Sequence, residues 1–383
     1  MTAPTRDDPS YDLDDVGTNP SKNPSFNDLI ASRLSRRHLF GLGVGTAGTA
    51  LLQACGGGGG RRGFLPIVPP PPPPAPPPPT GWEIQPVERK VLAILFDPLV
   101  PSHDNQPLSK VMRWNDPEAL MNAYIQDLQT VSGGYVRYTI TERITTHAFP
   151  IKADGFRYTP EEYLAVIRGE GSAHQPDWLD YHRLVADFNL VERVNRGDAD
   201  EIWLMGYPYA GFYESRMAGP GAFWCNAPAL ENAGSFNRRV ILMGFNLQRG
   251  VGEMLEAFGH RAESILQHVY STASGTPNFW ERFTRYDKSH PGQAEVGTVH
   301  YAPNSRTDYE WGNPTPVLTR CRTWNDFPQL RGEAVTVGCA EWGGGDIRQH
   351  HLWWLGYFPR QAGFTGSVAN NWWLYVIDPN QVR

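Results

Sequence analysis

Hydrophobic and polar positions alternate between two periods along residues 81–383, and the switches between them predict a strand–helix order. Lys90–Phe96 is a continuous apolar run closed by Asp97-Pro98, the pattern of a strand buried on both faces. Asp116-Pro117-Glu118 supplies a cap and a first-turn proline for a helix that runs to about Val131 and stops at Gly133-Gly134. Tyr135–Ile144 alternates and is rich in β-branched and aromatic residues, so it predicts a strand. Thr159-Pro160-Glu161-Glu162 caps a second helix ending near Arg168, and Asp180–Arg196 reads as a third. Glu201–Gly206 and Arg239–Phe245 read as further buried strands, Gly250–Tyr270 as the longest helix, and Ile347–Tyr357 as a late one. Strands alternating with helices predict an α/β (or α+β) fold, a helix-covered twisted and mostly parallel sheet. The part after the long helix is rich in Trp, Pro and Gly and reads as irregular.

The first 80 residues have no such periodicity. Residues 1–34 are polar and rich in Asp, Asn, Pro and Ser. Ser35-Arg36-Arg37-His38-Leu39-Phe40 follows, then a Gly-rich, weakly apolar stretch ending Leu52-Gln53-Ala54-Cys55. These residues resemble a bacterial twin-arginine export signal joined to a lipoprotein cleavage site. The resemblance implies export through Arg36 and Arg37 by the twin-arginine machinery, lipidation of Cys55, and a membrane-anchored protein of the cell envelope, in the periplasm or at the surface. Gly56–Gly60 and a stretch with eleven prolines between residues 66 and 79 then read as a flexible joint and a stiff spacer. An extended polyproline run over Pro69–Pro79 spans roughly 30 Å. The expected organisation is therefore a leader with its signal over 1–55, a linker over 56–80, and one large globular domain over 81–383, with 81–270 and 271–383 as its lobes.

Charge and cysteine usage narrow the class. The chain holds 34 basic and 40 acidic residues, a formal charge of −6, which argues against nucleic acid as a partner. Beyond Cys55 the cysteines are Cys225, Cys321 and Cys339, enough for one bridge, with Cys321 and Cys339 nearest in sequence. Neither a strand-borne Gly-x-Gly-x-x-Gly nor a Walker loop occurs, so no nucleotide cofactor is expected.

The long helix carries the main chemical signal. Val251, Met254, Leu255, Phe258, Ala262, Ile265 and Val269 form its apolar stripe. Glu253, Glu256, His260 and Glu263 fall opposite, within about 80° of one another at 100° per residue. Carboxylates and an imidazole on one stripe suit a helix-borne metal site; the plain alternative is a solvated face. The string Glu256-Ala257-Phe258-Gly259-His260 resembles the zincin metallopeptidase motif His-Glu-x-Gly-His, and the strand order before it resembles the first lobe of that family. The resemblance implies zinc, with Glu256 and His260 as ligands and His300 or His350 completing the set; Asp308 is a further candidate. It also exposes a departure: Ala257 stands where the family's catalytic glutamate stands, so Glu253 or Glu263 would have to act as base. Asp346 reads as the N-cap of the helix that carries His350.

Aromatic residues outside the expected core suggest a binding surface. Tyr207 and Tyr209 follow a strand end, where α/β folds place ligand loops, and Glu214, Arg216 and Trp224 lie just beyond. The segment Met217–Asn226 together with Arg249–Leu266 is similar to a family of uncharacterised exported bacterial proteins, a likeness that implies export and a shared fold. Two functions follow as expectations: an exported, metal-dependent hydrolase acting on a peptide or envelope substrate, or a non-catalytic lipoprotein that binds carbohydrate or cell envelope through its aromatic surface. A metal-free glycosidase using Asp97 and Glu214 is a third.

Overall fold

A computed structural model describes residues 85–382 apart from residue 234. Arg36, Arg37, Cys55 and the Gly/Pro linker lie outside the described residues.

The five strands β1 (Val87–Phe96), β2 (Val136–Thr146), β3 (Glu201–Gly206), β4 (Ser215–Ala218) and β5 (Val240–Asn246) form one sheet in the order β2-β1-β3-β5-β4. β1 runs parallel to β2 and β3, and β3 parallel to β5. Only the short edge strand β4 is antiparallel, with Ser215 opposite Met243. The molecule is thus α/β with a parallel-rich central sheet.

Alternation within the strands explains why they read as unbroken apolar runs. Val91, Ala93, Trp203, Met205, Ile241 and Met243 enter one core, while Leu92, Ile94, Ile202, Leu204 and Leu242 enter another on the opposite face. A strand covered on both sides has no polar face to show. The second core is closed by α2 (Pro160–Ile167), α3 (Tyr181–Asp187) and α4 (Leu190–Asn195). The first is closed by α1 (Pro117–Val131) and by α5 (Val251–Thr272). Asp116 caps α1 through Ala119 N at 2.8 Å, and Thr159 and Glu162 form a complete capping box on α2. The helix expected over 180–196 is two: Asn189 adopts the left-handed conformation (φ 50°), ends the helical path after Phe188, and starts α4.

Most of the C-terminal third joins the same core, and Ala302, Trp311, Val337, Cys339 and Trp342 form a small cluster of their own beside it. Trp280, Phe283, Trp324, Trp354, Trp372 and Trp373 are buried in contact with the core of α1 and α5. The segment is also less irregular than its composition predicts, holding α6 (Ile347–Gly356) and two antiparallel pairs, Val317–Thr319 with Val335–Val337 and Arg360–Thr365 with Val368–Asn371. The first pair separates the cysteines that are nearest in sequence. Val317 faces Val337 and Thr319 faces Val335, which sends Cys321 and Cys339 off opposite ends. Cys225, Cys321 and Cys339 are all buried free thiols.

The long helix is the spine of this assembly. Sixteen of its 22 residues are buried, on the polar stripe as well as the apolar one. Its polar face is therefore not the solvated one that a stripe of acids ordinarily marks. Arg261, fully buried, ties the helix to both neighbours: Nη1 meets Glu201 Oε1 at 2.7 Å and Nε donates to Val376 O at 2.9 Å. Among the described residues, no helix is long and apolar enough to cross a membrane.

Candidate metal centre

Glu256 and His260 lie one turn apart on α5, so their side chains emerge on the same side of the helix. The loop carrying His300 packs directly on that surface because Gly259 lets it. A Cβ on Gly259 would stand 2.6 Å from Val299 Cγ2 and 3.4 Å from Trp354. The loop is held by four further devices. Gly297 takes φ 93°, where a Cβ would meet Tyr301 O at 2.1 Å. Trp354 Nε1 donates to Gly297 O at 3.0 Å, and Trp311 Nε1 to Val299 O at 3.2 Å. Val299 N donates to Glu263 Oε1 at 3.1 Å, so the helix itself grips the loop next to His300. Replacing Gly259 with Ala gains about 1 kcal/mol of helix propensity but costs about 1–3 kcal/mol by overpacking against Val299. Gly259→Ala is expected to lower metal affinity at least tenfold while leaving the circular dichroism spectrum unchanged, which equilibrium dialysis with a divalent metal would measure.

One ligand atom each from Glu256, His260 and His300 lies within 4.8 Å of the others, and all three residues are buried. His300 Nε2 stands 3.2 Å from Glu256 Oε1, and the two imidazole rings are 4.6 Å apart, nearly perpendicular. Behind each histidine sits a second carboxylate. His260 Nδ1 is 3.2 Å from Glu263 Oε2, and His300 Nδ1 is 3.2 Å from Asp308 Oδ1. A carboxylate that accepts from Nδ1–H leaves the Nε2 lone pair free for a metal, the usual arrangement of histidine ligands. This buried Glu–His–His triad can hold a metal ion, and its two imidazoles and one carboxylate are a donor set that transition metals take.

The electrostatics agree. Burial opposes charge on His300, yet Asp308 and Glu256 hold its pKa well above the usual range. Burial likewise opposes charge on His260, and Glu214 and Glu263 raise its pKa. Glu256 is drawn down to about 2 against the burial penalty, chiefly by His300. Four carboxylates thus surround two imidazoles, a field that favours a cation among them.

A cleft of about 1000 Å³, counting its open mouth, adjoins this centre at the carboxyl ends of β3 and β5. Tyr207 and Tyr209 line it after β3, Phe245 and Asn246 from the last two residues of β5, Arg249 just beyond, and Glu253 and Ala257 from the first turns of α5. Trp178, Phe212, Tyr213 and Glu214 complete its walls. Glu214 also reaches the centre, with Oε2 3.9 Å from His260 Nε2. Lys152, 1% exposed, fastens two walls: its Nζ donates to Asp177 O, Asp177 Oδ1 and Tyr209 O at 2.5–2.6 Å. Tyr209 is itself left-handed (φ 61°) in that grip.

The remaining expected site residues take other places. Arg216 stacks over Tyr181 and Tyr213 and donates to Pro228 O, outside the cleft wall. Trp224 is half-buried and outside it too. His350 is fully buried against Trp311 (ring centroids 5.3 Å) and is not in the triad; burial holds its pKa well below the usual value. Asp346 caps α6 through Gln349 N at 2.8 Å. Asp97 accepts from Ser109 N and Oγ and does not line the cleft. Glu253 lines the cleft but turns back to accept from Gly250 N at 3.0 Å. Asp177, Trp178 and Lys152 had no sequence signal, because they come from loops and a bridge far along the chain from α5. Compared with protein-family models, with curated proteins and with solved structures, the chain shows no significant match.

Proposed function

We propose that this protein is a metal-dependent hydrolase of the cell envelope, with zinc held by Glu256, His260 and His300. One observation carries the reading: both imidazoles are braced at Nδ1 by carboxylates, so that two nitrogens and one carboxylate oxygen converge beside a cleft. A purely structural buried cluster has no need of a cleft, and a binding surface has no need of the brace. A His₂–carboxylate set is also a common catalytic zinc set, leaving a position for water or substrate. Bound there, the metal supplies Lewis acidity, polarising a carbonyl and easing deprotonation of water. The aromatic walls with Asn246 and Arg249 offer stacking and hydrogen bonding to a peptide or an amide of the envelope.

Location belongs to the same reading. Arg36 and Arg37 direct export, and Cys55 carries the lipid that holds the domain at the membrane through the polyproline spacer. The Cys55→Ala chain is expected in the soluble fraction of the envelope, where the parent partitions with membranes.

The test of the chemistry is removal and return of metal. Dialysis of the purified protein against dipicolinate is expected to abolish hydrolysis of labelled casein and of an amide-substrate panel, and stoichiometric zinc to restore it. Cleavage that survives metal removal would overturn the reading. So would a protein that takes up no metal and cleaves nothing. In that case the aromatic cleft would be tested on glycan arrays for the carbohydrate-binding alternative.

A further inference from the structure

We infer that Glu214 is the general base of this centre, supplying from the segment just before edge strand β4 the carboxylate that the helix lacks at Ala257. The inference rests on the metal-hydrolase reading above. Ala257 lines the cleft on the first turns of α5, one residue after the ligand Glu256, and its methyl group carries no proton acceptor. Glu214 lines the same cleft. Its Oε2 stands 3.9 Å from His260 Nε2, the ring nitrogen not engaged by Glu263. At that separation a water molecule within reach of the triad is also within hydrogen-bond reach of the carboxylate.

Three features hold Glu214 there. Gly244 N donates to Glu214 O at 3.0 Å, and Gly244 has no side chain because a Cβ would lie 2.4 Å from Tyr213 O. Asn226 Nδ2 donates to Glu214 Oε2 at 2.7 Å, orienting the carboxylate. Asn226 is in turn fixed by α5, its backbone N–H donating to Ser264 Oγ at 3.0 Å. The helix that bears the ligands therefore also positions the carboxylate, through one intermediary.

The other acids are committed elsewhere. Glu263 lies behind His260, accepting from Val299 N and bracing Nδ1. Asp308 stands behind His300. Glu253 reaches back to the start of its own helix.

For an amide substrate the step balances as follows. The water proton passes to the Glu214 carboxylate while the water oxygen bonds to the carbonyl carbon. The C–N bond then breaks, Glu214 returns the proton to the departing nitrogen, and the products are a carboxylic acid and an amine. No oxidant or reductant is required.

The test uses the full chain loaded with Co²⁺, the parent beside Glu214→Gln, with acetohydroxamic acid as the probe. Hydroxamic acids bind a metal as hydroxamate and surrender a proton, which an adjacent carboxylate accepts and an amide does not. Expected for Glu214→Gln are one equivalent of cobalt as in the parent, affinity for acetohydroxamate in the cobalt visible spectrum reduced at least tenfold, and casein hydrolysis reduced about 100-fold or more, the range of a lost general base. Retention of both hydroxamate affinity and hydrolysis would overturn the inference. Loss of cobalt from the folded variant would overturn it as well, by making Glu214 a ligand. A parent that binds no cobalt would instead defeat the underlying metal reading. If Glu214→Gln does not fold by circular dichroism, Glu214→Asp replaces it: intact cobalt binding with hydrolysis at least tenfold lower supports the role, and unchanged hydrolysis overturns it.

Discussion

His260→Ala is expected to leave the protein folded and strip it of metal. The parent should carry about one equivalent of a divalent transition metal by elemental analysis, and the variant essentially none. Removing an outer-shell partner of a histidine ligand already costs about 10–100-fold in affinity, so removing the ligand costs more. A metal at 1,000 times its dissociation constant stabilises the folded state by about 4 kcal/mol, so loss of the site lowers Tm on the order of 10 °C. The parent's Tm should drop by the same amount with chelator, and that of the variant should not respond. Uptake should weaken in acid: the neighbouring carboxylates raise the pKa of His260 and His300, and a metal must displace the protons held there. A variant that keeps its metal would remove His260 from the ligand set.

The second large effect is on stability and lies far from the cleft. Arg261→Met should destabilise the protein by roughly 3–5 kcal/mol in urea unfolding, the cost of leaving a buried charge without its partner. The charge left behind is Glu201, 1% exposed on β3, which also accepts from Trp203 Nε1 at 2.8 Å and Tyr138 OH at 3.1 Å. Those two neutral donors do not neutralise a carboxylate in an apolar core. Arg261→Met combined with Glu201→Gln should recover roughly 1–3 kcal/mol, because the uncompensated charge is gone while the amide oxygen still accepts from Trp203 Nε1 and the amide NH2 donates to the Tyr138 hydroxyl, which can turn to accept. If the double variant is no more stable than the single one, the loss came from packing and from the bond to Val376 O.

Arg261 also shows why the helix was only partly legible. Its neighbours His260 and Glu263 face the candidate metal centre, while Arg261 points to the sheet and to Val376 near the C-terminus. A helix with acids, an imidazole and an arginine on its polar positions normally faces water. Here Arg261, Glu256 and His260 are matched by groups that arrive from elsewhere: Glu201 from β3, His300, itself backed by Asp308, from the loop after α5, and Glu214 from the approach to β4. One-dimensional spacing contains none of these partners.

Local physics in the chain was enough for the four parallel strands and the capped helices, though not for the antiparallel edge strand β4, the break at Asn189 or the antiparallel pairs after the long helix. Apolar runs of strand length between capped helices leave a parallel, doubly covered sheet as the way to bury both faces. The Glu256–His260 spacing likewise needed nothing beyond the helical repeat to put two candidate ligands on one side. What only the tertiary structure decided was the use of that side. Gly259 admits the 297–301 loop, which delivers His300 from 40 residues downstream, and Gly244 admits the segment that brings Glu214 to the cleft. Tertiary packing likewise placed Lys152 against both Asp177 and Tyr209 and kept Arg216 and Trp224 out of the cleft wall. The physical reason is common to all of them: a metal centre is a convergence of atoms within a few ångströms, and close approach of distant backbone is set by packing, to which local spacing is blind.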